Sequence, residues 1–231
     1  MDGERRELSA STSVSRLANR VYAPAGAGPF PAVVLNTTIG SVSQHLMVQA
    51  KALLEAGFAV VVVDSYAPRN LRVDDLLFPA EMANDAYGAL ALLQTLPYID
   101  PNRIYQTGFS VGALAAAMLA SPQGAQQLQV KGRFRATVGH YGNCTTPSGP
   151  NPFSHNMTIE WLSAESDRPV LMLMAALDIE CPLKTCFPLM ETMKAAGKPV
   201  DWHIYPNTTH GWDKAENNGY VYRAPDGATM T

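Results

Sequence analysis

The residues best suited to covalent chemistry stand at Gly108-Phe109-Ser110-Val111-Gly112. A serine hydroxyl is a weak nucleophile until a base takes its proton, and it attacks carbonyl carbon best where donors await the oxyanion. The G-x-S-x-G spacing meets the steric side of that demand. A serine on a tight strand-to-helix turn is held in strained backbone, and flanking glycines keep Cβ atoms out of the strand and helix that crowd it. Taken alone the pattern recurs by chance. Here Arg103-Ile104-Tyr105-Gln106-Thr107 reads as a strand before it and Ala113–Met118 as a strong helix former behind it, the setting of a nucleophile elbow.

Histidine suits the role of base at neutral pH, and after a serine on such an elbow the acid and then the histidine follow in the chain. Of the five histidines, His45 precedes the serine, His140 closes a core strand as a structural residue, and His203 alternates on a sheet face. His210 follows the last strand in Tyr205-Pro206-Asn207-Thr208-Thr209-His210-Gly211-Trp212-Asp213 and is the expected base, with His155 the runner-up. The acid should close the preceding strand, where Asp178 ends Pro169–Leu177. It would fix the imidazole tautomer and stabilise the imidazolium. Glu180 competes from two residues on, Asp213 from further away.

The oxyanion needs two backbone N–H groups. Val111 offers one, and the loop Asn36-Thr37-Thr38-Ile39-Gly40 the other, assigned to Thr38. The hydroxyls of Thr37 and Thr38 equally fit turn caps. Candidate substrate contacts are Thr37, Ile39, Tyr66, Arg69, Phe109 and Trp212, with Phe153 a further rim residue. The aromatic ones fit an ordinary core as well. Arg69 could pair with a substrate carboxylate bidentately, but such an arginine more often pins a loop.

Strand–helix alternation supplies the scaffold. Strands are expected at Pro31–Asn36, Phe58–Asp64, Arg103–Gly108, Ala136–His140, Pro169–Met174 and Val200–Tyr205. Several are apolar almost without alternation, as in parallel sheets buried on both faces. Helices are expected at Gln44–Ala56, Ala80–Leu96, Val111–Leu119 and Phe187–Ala196, the last stopped by Gly197. The fold class is therefore α/β, a doubly wound, mostly parallel sheet. Val14–Tyr22 reads as an antiparallel edge strand and residues 1–12 as poorly ordered. Residues 143–167, rich in Pro, Ser and Asn, read as a surface excursion near the site; the whole chain of 231 residues is expected to be one domain.

Composition narrows the partners. With 17 basic and 20 acidic residues and a net charge of −3, no cationic excess points to nucleic acid or a membrane surface. No apolar run approaches the roughly 18 residues of a membrane span. Charged Met1–Glu7 has no apolar stretch behind it, so the chain as written carries no secretory signal.

Together these segments resemble the dienelactone hydrolase family of α/β-hydrolases over residues 28–217. The likeness lies in Ala56-Gly57-Phe58…Asp64-Ser65-Tyr66-Ala67-Pro68-Arg69, in Asp85-Ala86-Tyr87, in Tyr98-Ile99-Asp100-Pro101-Asn102-Arg103-Ile104 with the elbow, and in Tyr205-Pro206…His210-Gly211-Trp212-Asp213. It implies an α/β-hydrolase fold without a large cap domain, no metal, no organic cofactor, and a small-molecule ester or lactone as substrate. The namesake enzymes carry a cysteine nucleophile where this chain has Ser110, and an acidic residue where it has Thr37; Asn70 replaces a usual glycine. A serine-triad hydrolase is therefore implied, and not dienelactone as its particular substrate. Acyltransferase, peptidase and non-catalytic binding on the same fold are the alternatives.

A subset of these relatives also places cysteines where Cys144 and Cys186 stand. A Cys144–Cys186 disulfide would tie the excursion to the loop around Asp178 and imply an oxidising compartment. Cys181–Cys186 pairing and three free thiols remain the other readings, and the spacing matches no zinc site.

Overall fold

The computed structural model describes residues 1–9, 12–149, 156–215, 222–223 and 229–230. In chain order it forms β1 (Asp2–Arg6), α1 (Val14–Leu17), β2 (Arg20–Tyr22), β3 (Phe30–Asn36), α2 (Gln44–Glu55), β4 (Ala59–Val63) and α3 (Pro79–Leu93). There follow β5 (Ile99–Phe109), α4 (Val111–Leu119), α5 (Pro122–Gln127), β6 (Thr137–His140), β7 (Thr145–Thr146), β8 (Ile159–Glu160), β9 (Val170–Ala175), α6 (Phe187–Ala195) and β10 (Val200–Tyr205). Two-residue strands β11 (Tyr222–Arg223) and β12 (Thr229–Met230) pair with each other.

Eight strands make one sheet in the order β1-β2-β4-β3-β5-β6-β9-β10. From β4 to β10 every pairing is parallel, and β2 runs antiparallel to β4. The sheet is α/β and mostly parallel, as expected of an α/β-hydrolase fold. Side-chain alternation sorts its core. Ala32 and Val34 face α3 with Val61 and Ile104, while Val33 and Leu35 face Leu46 and Ala50 of α2 with Val60 and Val62. Met172 and Met174 of β9 pack with Leu114 and Ala117 of α4 and Met190 and Met193 of α6. Burying each such side chain contributes about 2 kcal/mol. Helix α3 starts at Pro79, whose missing N–H costs nothing in the first turn, and Glu81 accepts the Phe78 N–H at 3.1 Å.

Two expectations at the N-terminus are corrected. Asp2–Arg6 is not disordered: it forms β1, parallel to β2, and Arg6 pairs with Asp2 at 2.7 Å. Val14–Tyr22 is not one strand. Val14–Leu17 coils into a helical turn that buries Leu17, Ala18 makes a single bridge to Val62, and Arg20–Tyr22 joins the sheet as a strand, antiparallel as expected. In the excursion, β7 and β8 form a small antiparallel ribbon, with Trp161 Nε1 donating to Thr146 Oγ1 at 2.7 Å. Among the described residues no helix is long and apolar enough to cross a membrane.

Candidate active site

Ser110 sits between β5 and α4 with φ 54° and ψ −115°, a strained conformation for a residue with a side chain. The chain holds it there by close approach on both sides. A Cβ at Gly108 would lie 2.0 Å from the Gly112 carbonyl oxygen, and one at Gly112 would lie 2.3 Å from the Thr37 oxygen. Only glycine lets α4 begin this close to the end of β5 and to the loop after β3.

Asp178 follows β9 and is buried. Its Oδ1 accepts the backbone N–H groups of Glu180 at 2.9 Å and Cys181 at 2.8 Å, which leaves Oδ2 to accept His210 Nδ1–H at 2.9 Å. An ionised carboxylate only accepts, so this bond puts the imidazole proton on Nδ1 and leaves Nε2 free to accept from Ser110 Oγ, 2.9 Å away. The loop carrying His210 is itself tied to the Asp178 loop, with Leu177 N–H donating to Thr208 O at 3.0 Å. Tyr141 stacks edge-on to His210 at 4.9 Å and donates its hydroxyl to Asp213 at 2.8 Å. Ser110, Asp178 and His210 thus meet in the order the sequence suggested. The two competing acids lie elsewhere on the ring or off it: Glu180 Oε2 is 3.7 Å from Nε2, and Asp213 holds Tyr141.

At the elbow, Ser110 O takes the N–H groups of Ala113 and Leu114, and His140 O takes that of Ser110. Among the described residues no backbone acceptor engages the N–H of Val111 or of Thr38. Ser110 and Val111 open onto a pocket of about 450 Å³, walled by Leu114, Asn143, Ile179, Glu180, Cys181 and Lys184. Asn143 is fixed by Thr185, whose hydroxyl donates to its Oδ1 at 2.8 Å. A larger cavity of about 660 Å³ lies under the N-terminal segment, away from these groups.

The expected substrate contacts fall in several places. Phe109 is fully buried between His45 and His140, at ring distances of 5.2 and 4.4 Å, because its side chain points to the α2 face of β5. Tyr66 belongs to the core beneath α3. Arg69 grips Asp85 through both guanidinium nitrogens at 2.7 and 2.9 Å and donates to Ser65 O at 2.8 Å, which is the loop-pinning use. Thr37 is buried with its hydroxyl on Gly40 O, Ile39 is exposed, and Trp212 packs on Tyr141 and Tyr205 at 4.9 and 5.0 Å. None of the six lines the pocket that opens at Ser110. His140 bonds Thr107 Oγ1 at 3.0 Å, and burial pushes it down to about 4, so it stays neutral. His155 and Phe153 lie outside the described residues. The pocket wall from Ile179 to Lys184 escaped the sequence reading, although the turn-prone Ile179-Glu180-Cys181-Pro182 follows the acid directly.

Cys144 and Cys186 are joined in a disulfide, and Cys181 is free. Burial first, then the charges of Asp178 and Glu180, push the Cys181 thiol well above its usual value. It therefore stays protonated at neutral pH and does not rival Ser110 as a nucleophile.

The chain matches the model of the dienelactone hydrolase family over residues 17–229. It is 25% identical over 205 residues to a Methylorubrum extorquens protein provisionally named carboxymethylenebutenolidase, covering 82% of this chain and 65% of that relative's length. Among solved structures it resembles a thermophilic esterase of Thermogutta terrifontis, at TM-score 0.65 and 16% identity, over 87% of this chain and 81% of that one. That esterase has also been solved phosphonylated by cyclosarin. A provisionally assigned dienelactone hydrolase of Klebsiella pneumoniae superposes at TM-score 0.58 and 20% identity, over 81% of this chain and 78% of its own. With an elbow serine, a buried aspartate and a histidine joining them on a mostly parallel sheet, and with the family's model matched over nearly the whole length, this chain belongs to the dienelactone hydrolase family.

Proposed function

We propose that the protein is a serine hydrolase that cleaves small carboxylic esters or lactones through an acyl-enzyme intermediate. The observation that carries the reading is the pair of 2.9 Å hydrogen bonds running from Ser110 through His210 to Asp178 at the wall of an open pocket. His210 Nε2 accepts the Ser110 proton as Oγ attacks the carbonyl carbon, and Asp178 steadies the imidazolium. The N–H groups of Val111 and Thr38 hold the oxyanion. Collapse breaks the ester bond, and the alcohol leaves with the proton from Nε2. A water then repeats the sequence on the acyl-enzyme, with His210 as its base.

The test is hydrolysis of p-nitrophenyl acetate and butyrate by the wild type and by Ser110→Ala. The substitution should lower kcat by about 10³-fold or more with the fold intact. Equal turnover in both proteins would remove the reading.

A further inference from the structure

The turn that presents the acid also presents two metal-binding groups that the proposed hydrolysis does not use, Cys181 and Glu180, beside two that it does, Asp178 and His210. Cys181 Sγ, an Asp178 oxygen and a His210 ring nitrogen all lie within 4.8 Å of one another. Glu180 adds a carboxylate 3.7 Å from His210 Nε2. Thiolate, imidazole and carboxylate together are a zinc donor set, and a tetrahedral zinc holds its donors roughly 3.5 Å apart. Ligation would draw the donors together by about an ångström, through rotation of the Cys181 and His210 side chains toward Asp178, whose carboxylate the turn holds in place. Charge favours it too. The charges of Asp178 and Glu180 both bear on the thiol, and they outnumber Lys184, the one cationic residue among the described residues lining the pocket.

We propose that this pocket holds a thiophilic divalent cation of the zinc type on Cys181, His210 and Asp178, with Glu180 beside them, and that occupation switches hydrolysis off. On binding, a sulfur–metal bond replaces the thiol S–H bond and the proton leaves to solvent; no electron is transferred. Both ring nitrogens of His210 are engaged at 2.9 Å, one by Ser110 and one by Asp178. Ligation of either therefore removes a bond that the serine needs. The switching rests on the hydrolase reading; the cation site does not.

Chelator-treated Ser110→Ala protein, which keeps every donor, is titrated with zinc chloride by calorimetry and equilibrium dialysis, and with cobalt(II) by absorption. One zinc per chain is expected, with a thiolate-to-cobalt charge-transfer band in the near ultraviolet. Cys181→Ser should lose that band and weaken zinc binding by about 10-fold or more, and His210→Gln, a second route if the first variant misfolds, should weaken it similarly. In the wild type, p-nitrophenyl ester turnover should fall as zinc occupancy rises and return with EDTA. Uptake unchanged in both variants, or cobalt binding without the thiolate band, overturns the site. Full turnover at full occupancy overturns the switch. Turnover retained by metal-free Ser110→Ala would instead sink the hydrolase reading and leave the site standing.

Discussion

Asp178 spends one oxygen on two backbone N–H groups and the other on His210, so its geometry is fixed before any substrate arrives. An asparagine there keeps the shape but can turn its amide N–H toward Nδ1, which favours the wrong imidazole tautomer. Asp178→Asn should therefore lower kcat on p-nitrophenyl butyrate by about 10⁴-fold with little change in melting temperature. His140 makes a different kind of prediction. Burial pushes it from 6.5 down to about 4, so between those values the unfolded chain binds a proton that the native protein does not. Stability then rises with pH across that window and falls as pH drops through it, by about 3 kcal/mol in full. Urea midpoints between about pH 7 and pH 4 should fall less steeply for His140→Gln than for the wild type. A parallel pair of curves would show that His140 does not carry this dependence.

Among the elements, the elbow is the least forgiving. A Cβ at Gly108 meets the Gly112 carbonyl group at 2.0 and 2.4 Å, and backbone on both sides leaves it nowhere to go. Gly108→Ala should cost about 3 kcal/mol or more in a thermal or urea melt and take activity with it. Gly149, where a Cβ would meet nothing within 4 Å among the described residues, is the control, and Gly149→Ala should change stability by less than about 0.5 kcal/mol. Elements of this kind were legible because their sequence is dictated locally. The apolar strands and α4 declare themselves by runs that only a two-sided burial accommodates. β1 was not legible: Asp2-Gly3-Glu4-Arg5-Arg6 has no apolar signature, and what makes it a strand is the free edge of β2. The short helix at Val14–Leu17 and the two-residue strands of the excursion likewise depend on tertiary partners rather than on period. The same division holds at the site. Ser110, Asp178 and His210 stand at strand ends, where sequence order implies place. Glu180, Cys181 and Asn143 reach the pocket through loop conformation, which no spacing encodes.

Across the whole molecule, the Cys144–Cys186 bond fastens the segment after β6 to the start of α6, and so joins two walls of the pocket. The closed loop, with a sequence separation of 42, should contribute about 4 kcal/mol by limiting the unfolded chain. A Cys144→Ala/Cys186→Ala double variant should show that loss in urea; a loss under about 1 kcal/mol would mean that packing alone holds the walls. The strand order carries a last consequence. Ser110 ends β5 and Asp178 follows β9, with β6 between them, so their supporting strands are roughly 10 Å apart. One imidazole, with a hydrogen bond of 2.9 Å at each end, joins the two side chains across that gap. The ring acts as a gauge block set across the sheet. Loops at its ends can lengthen, shorten or change their residues as substrates change, but one strand more or fewer inside the gap would leave the serine and the aspartate without a common neighbour.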